Sequence, residues 1–130
     1  MLFTLPISEV FFERTSYGTC ITFAASGNDE NRKYLTIQNS NCFDAQDISL
    51  GMNYAYIEFC DQKNSQYGDI NEIHFLDGTL SISFEKHSTI CKETDIHIIK
   101  LGIEGSQCNL DLAIAELKEI SIRDNIKNNL

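Results

Sequence analysis

Basic residues are scarce in this chain. Ten Lys and Arg stand against nineteen Asp and Glu, and the formal net charge is −9. That balance excludes naked nucleic acid as a natural partner, because phosphate binding needs a cationic surface. Tryptophan is absent, which removes the usual platform for a sugar ligand. One proline and seven glycines leave no low-complexity linker. No apolar run approaches the roughly 18 residues that span a bilayer, so no membrane partner is expected. The opening Met1-Leu2-Phe3-Thr4-Leu5-Pro6 has no basic n-region, and Glu9 and Glu13 follow. This predicts no signal peptide and a cytoplasmic location. The five cysteines, Cys20, Cys42, Cys60, Cys91 and Cys108, are odd in number and form no C-x-x-C pair. Neither a disulfide framework nor a zinc site has that spacing. Free thiols in a reducing compartment are expected.

Hydrophobic residues make up 42% of the 130 residues, enough for a core in one domain spanning 1–130. Most of the chain reads as short strands. Leu2 to Leu5 and Val10 to Arg14 are extended runs separated by Pro6, which cannot sit in a central strand. Thr19 to Ala25 alternates, with Ile21 and Phe23 sharing a face. Tyr34, Leu35 and Ile37 mark another strand. Asn39 to Leu50 is a long polar connection, with a short extended piece at Ile48 to Leu50. Asn53 to Asp61 alternates most clearly, with Tyr54, Tyr56, Glu58 and Cys60 opposite Ala55, Ile57 and Phe59. Ser26 to Asn31 and Asp61 to Asp69 read as polar loops. Ile70 to Phe75 and Thr79 to Glu85 form a hairpin around Asp77-Gly78, both of which tolerate positive φ. Asp95 to Leu101 is the last strand.

The one confident helix runs from Asn109 to Ile120. Its stripe is Leu110, Ala113, Ile114, Leu117 and Ser121, widened by Leu112 and Ile120, while Glu116, Lys118 and Glu119 face water. Residues 123–130 read as a frayed tail. The fold class is α+β: mostly antiparallel β, with seven to eight short strands in a sandwich-like or curled sheet and one C-terminal amphipathic helix.

Catalytic and metal-binding patterns are missing. His74, His87 and His97 are the histidines. His87-x-x-x-Cys91 with His97 is no known ligand spacing. Asp61, Asn64, Asp69 and Asn71 miss the EF-hand order. No phosphate-cradling glycine motif, Gly-x-Ser-x-Gly elbow or His-Glu-x-x-His occurs. No cofactor, metal or catalytic residue is expected, and binding is favoured over catalysis.

The acid is unevenly placed. Between Asn41 and Thr79 stand Asp44, Asp47, Glu58, Asp61, Asp69, Glu72 and Asp77, with Lys63 the only Lys or Arg. A one-signed surface attracts a cationic partner and speeds encounter. A solvated acidic rim is the plainer alternative.

One stretch carries a recognisable order. Tyr34-Leu35-Thr36-Ile37-Gln38 precedes Gly51-Met52-Asn53-Tyr54-Ala55-Tyr56-Ile57-Glu58, then Asp61-Gln62-Lys63-Asn64-Ser65-Gln66-Tyr67-Gly68-Asp69-Ile70. Over roughly residues 34 to 120 this resembles the immunity protein 10 family of bacterial polymorphic toxin and contact-dependent inhibition systems. Gln66 and Asp69 depart from that pattern, standing where glycines are usual. The resemblance implies a cytoplasmic inhibitor of a cognate toxin domain, and such toxins are often nucleases. The expected partner-binding residues are Asp44, Asp47, Glu58, Asp61, Asn64, Tyr67, Asp69, Glu72 and Asp77, on a protein expected to be monomeric. The competing readings are a β-sandwich ligand module using Tyr54, Tyr56 and Tyr67, and a small carboxylate enzyme using Glu58 and Asp61.

Overall fold

The computed structural model describes residues 1–27, 31–105 and 107–130. Half of the polar loop expected at Ser26 to Asn31, residues 28–30, therefore lies outside the described residues. Ten strands and three helices are described: β1 (Leu2–Ile7), β2 (Glu9–Arg14), β3 (Gly18–Ala24), β4 (Tyr34–Ser40), α1 (Ala45–Ser49), β5 (Tyr56–Phe59), β6 (Asp61–Tyr67), β7 (Ile70–Leu76), β8 (Thr79–Phe84), α2 (Thr89–Thr94), β9 (Ile98–Ile103), α3 (Leu110–Asp124) and β10 (Lys127–Asn128). The class is α+β, with more strands and helices than the sequence suggested.

Two five-stranded sheets form, in the orders β1-β9-β8-β7-β10 and β2-β3-β4-β5-β6. The second sheet is antiparallel throughout. The first has parallel pairs at both margins, β1 with β9 and β10 with β7. Side chains from both sheets enter one hydrophobic cluster: Ile21, Phe23, Leu35, Ile37 and Ile57 from the second, Ile73, Leu80, Ile82, Ile99 and Leu101 from the first. All are essentially inaccessible, and each stabilises the fold by roughly 1.5–3 kcal/mol relative to exposure. Strand alternation puts these apolar residues on the inner faces and their neighbours on the outer faces. Across the core, Phe3 meets Phe59 edge-on at 5.4 Å.

Several expectations are corrected. Pro6 lies within β1, which it can because β1 is a sheet margin. Ile48 is helical rather than extended: Asp44 caps α1, and Asp44 and Asp47 exchange side-chain bonds with each other's backbone. Asp61 to Tyr67 is a strand and not a loop. β9 starts three residues later than expected and carries Gly102 inside it. Glu116 does not face water. It is buried, accepting from Asn39 at 3.2 Å and lying 3.8 Å from Arg14. Residues 123–130 do not form a loose tail in this structure: α3 continues to Asp124, Ile126 is buried, and Asn129 bonds both backbone groups of Phe75. The amide of Asn129 thus imitates a further ladder residue on β7.

Candidate functional site

The chain passes from the second sheet to the first at Gly68 and Asp69. Both have positive φ, +72° and 58°. A Cβ on Gly68 would lie 3.1 Å from Cβ and Cγ of Tyr54, so glycine is required there on two counts. Asp69 occupies a left-handed position where the family resemblance has glycine, and aspartate is among the residues that tolerate it. Gln66, the other departure, is buried. Its Nε2 donates to the Gly68 carbonyl at 2.7 Å, and its Oε1 accepts from the Ile90 backbone N–H at 2.9 Å. One side chain therefore holds the crossover and the start of α2 together, work that glycine has no atoms to do.

This crossover borders a cleft of about 660 Å³. Gly51, Tyr54, Tyr67, Gly68, Asp69 and Ile70 supply one part of its wall. Glu85, His87, Asp124, Asn125 and Ile126 supply the rest. Tyr54 and Tyr67 are exposed. His87 Nε2 is 3.3 Å from Asp69 Oδ1. The Asp124 carboxylate is committed within the fold, accepting from the Ala55 N–H at 2.9 Å and from Arg123 at 2.7 Å. Segments singled out by sequence order are thus joined in space by α3 and its C-terminal turn.

The cleft adjoins the outer face of the second sheet. Tyr67 and Tyr56 face each other across β5 and β6, with ring centroids 5.2 Å apart. Beyond them Glu58 stands mid-sheet, between Thr36 on β4 and Ser65 on β6. Tyr56 donates its phenol hydrogen to Oε1 of Glu58 at 2.6 Å, and Tyr34 donates to Oε2. Burial, and then the hydrogen bond to Glu58, push both phenols above their ordinary value. A phenol giving its proton to a carboxylate is harder to ionise, since ionisation would set two anions side by side. The outward face thus carries tyrosines gathered around a carboxylate.

The remaining expected residues fall in separate places. Asp44 and Asp47 are the two halves of the α1 capping box. Asp61 opens β6 and accepts from the Lys63 N–H. Asn64 donates to the Phe59 carbonyl across the β5–β6 turn. Glu72 lies beside His74 on the outer face of the first sheet, and Asp77 forms the β7–β8 turn. Asp69 and Asp77 flank β7 at its opposite ends, and the strand between them is about 20 Å long at the usual rise. So the acids do not gather at one end of the sandwich. Tyr67 and Asp69 share the cleft, Glu58 adjoins it through Tyr56, and the others stand apart. Tyr34, Glu85 and His87 were not expected there. Tyr34 had a legible signal, since it shares a face with every second residue of β4, but only the register places it against Glu58.

Among the described residues, no helix is long and apolar enough to cross a membrane. All five cysteines are free thiols. No curated protein and no solved structure matches the chain. A family model described as immunity protein 10 matches residues 6–111. That span includes β2 and β3 as well as every cleft segment from Gly51 to His87. On that match, over most of its length, the chain belongs to the immunity protein 10 family.

Proposed function

We propose that this protein binds a cognate bacterial toxin domain in the cytoplasm and neutralises it by covering its active-site cleft. It acts by contact and not by catalysis. The observation that carries the reading is the continuous surface formed by the Tyr54–Tyr67 cleft and the Tyr34–Glu58–Tyr56 face. Tyrosine supplies large contact area with a polar tip, and it is enriched among the residues that dominate binding energy. The expected acidic surface is retained in modified form. Glu58 and Asp69 belong to this surface, and Glu85 joins them. A net charge of −9 supplies a longer-range field that favours a basic partner, as a nuclease with a phosphate-binding cleft would be.

Co-expression tests this directly. Cells producing the cognate toxin domain should survive when the chain is present. Paired Tyr54→Ala and Tyr67→Ala changes should abolish protection while leaving the circular dichroism spectrum intact. Full protection by the folded double variant would place the contact elsewhere.

A further inference from the structure

The Glu58 cluster also defines what kind of group the surface receives. Each carboxylate oxygen accepts one phenol hydrogen, from Tyr56 and from Tyr34. A carboxylate has about four lone-pair sites, so each oxygen keeps one free. The two phenols fix the plane of the carboxylate, and the residue is half-buried in the sheet face yet open to solvent. Among the described residues it makes no ion pair. The chain's own arginines are engaged elsewhere: Arg14 with Glu116, Arg32 with Glu9, and Arg123 with Asp124 and Asn39. Lys33 lies over the Phe3 ring, 5.5 Å from its centroid. This carboxylate is held in one plane by two phenols and remains open to solvent, so it is pre-oriented for a cationic group that reaches the face.

We propose that Glu58 is the seat of one arginine side chain from the partner protein, held by both carboxylate oxygens and flanked by the rings of Tyr34 and Tyr56. This rests on the partner-binding reading above. One free acceptor site on each oxygen matches the planar fork of a guanidinium, which bonds in parallel pairs. The adjoining phenol rings offer faces on which a guanidinium can stack. A lysine ammonium is a point charge and uses neither feature fully.

The test uses two probes. The first is a short capped peptide, Gly-Arg-Gly, titrated into isotope-labelled full-length protein and followed by NMR. Saturable shifts confined to Glu58, Tyr34, Tyr56 and their neighbours are expected. The lysine peptide should bind about tenfold more weakly, given its loss of the bidentate contact. The citrulline peptide, which keeps the shape without the charge, should leave these signals unmoved. Glu58→Gln should abolish the response. The Tyr34→Phe, Tyr56→Phe double variant, which keeps the carboxylate but frees its orientation, should weaken it. Shifts that persist in Glu58→Gln, or that scatter over the surface, would overturn the proposal.

The second probe is the cognate toxin domain that co-expression identifies. Glu58→Gln should weaken its binding by about thirtyfold or more, mainly through faster dissociation. Wild-type binding with no loss in Glu58→Gln would overturn the arginine seat and leave the partner reading standing. No binding by the wild type would overturn the partner reading for that toxin, and the peptide titration would then decide the arginine seat alone.

Discussion

The two outer sheet faces of this protein are built from different materials. On the second sheet, β4, β5 and β6 present Tyr34, Tyr56, Tyr67 and Glu58. On the first, β8 and β9 present Thr79, Ser81, Ser83, Lys100 and Gly102, and all but Ser83 border a depression of about 560 Å³ that His74, Leu76 and Asp77 also line. Both faces cover the same core, and both are open to solvent among the described residues. Small hydroxyl residues on a face maintain strand geometry and solubility at little interaction energy. Tyrosines hydrogen-bonded to a carboxylate carry far more contact area, and their side chains are already ordered. A partner that binds them need not offset that ordering again. That difference is the ground for proposing the second sheet and its cleft as the binding surface.

The sharpest way to break the comparison is at the crossover that joins the two sheets. Gly68→Val forces a β-branched residue into positive φ and a methyl-bearing carbon against Tyr54. Urea unfolding should show a loss of about 2–3 kcal/mol. An unchanged midpoint would mean that the turn relaxes freely. Gln66→Leu should come next. It leaves the Ile90 N–H and the Gly68 carbonyl without their side-chain partner in a buried site, for a loss of about 1–3 kcal/mol. Retained stability would show that water replaces the amide.

The alkaline limb gives a third prediction. The phenols of Tyr34 and Tyr56 are raised in the folded protein above the ordinary value of 10.0. Near and above that value the unfolded chain loses protons that the folded one keeps. Stability associated with these phenols is therefore fully present below pH 10 and declines as pH rises further. Phenolate absorbance should show two of the five tyrosines titrating late, and the Tyr34→Phe, Tyr56→Phe variant should lose that late phase. Ionisation of all the tyrosines together near the ordinary value would contradict the hydrogen bonds to Glu58. The smallest expected effect lies on the first sheet. Glu72→Gln with Asp77→Asn should slow association with the toxin domain by about twofold or less at low salt, and not at all once salt shortens the Debye length well below 8 Å. A large change in dissociation rate would place these residues inside the contact.

Much of this was readable from residue order where alternation was strong. Ile21 and Phe23, Ile57 and Phe59, and the Asp77-Gly78 hairpin all fall where the period-two pattern puts them. β6 was not readable, because Asp61-Gln62-Lys63-Asn64-Ser65-Gln66-Tyr67 has no apolar alternation. It is a margin strand, and the inward residue near its end is the amide of Gln66. α1 and α2 are too short to show a helical period, although Asp44-x-x-Asp47 is a capping-box signal and Ser88 a plain N-cap. Glu116 looked solvent-facing on a helical wheel. Its partners Asn39 and Arg14 are distant in sequence, so no local pattern reveals its burial. The cleft shares this difficulty. Tyr54, Tyr67 and Asp69 are visible as a motif, but Glu85, His87 and Asn125 join them only through tertiary folding. Closeness of the acids in sequence between Asn41 and Thr79 is not closeness in space, since Asp69 and Asp77 flank opposite ends of β7.

Hydrogen–deuterium exchange on the complex with the toxin domain tests the central claim most directly. Binding should protect amides in β4, β5, β6 and the Gly51 to Tyr54 segment, and leave those of β8 and β9 at their free rates. Protection confined to β8 and β9, with β5 and β6 unchanged, would contradict it.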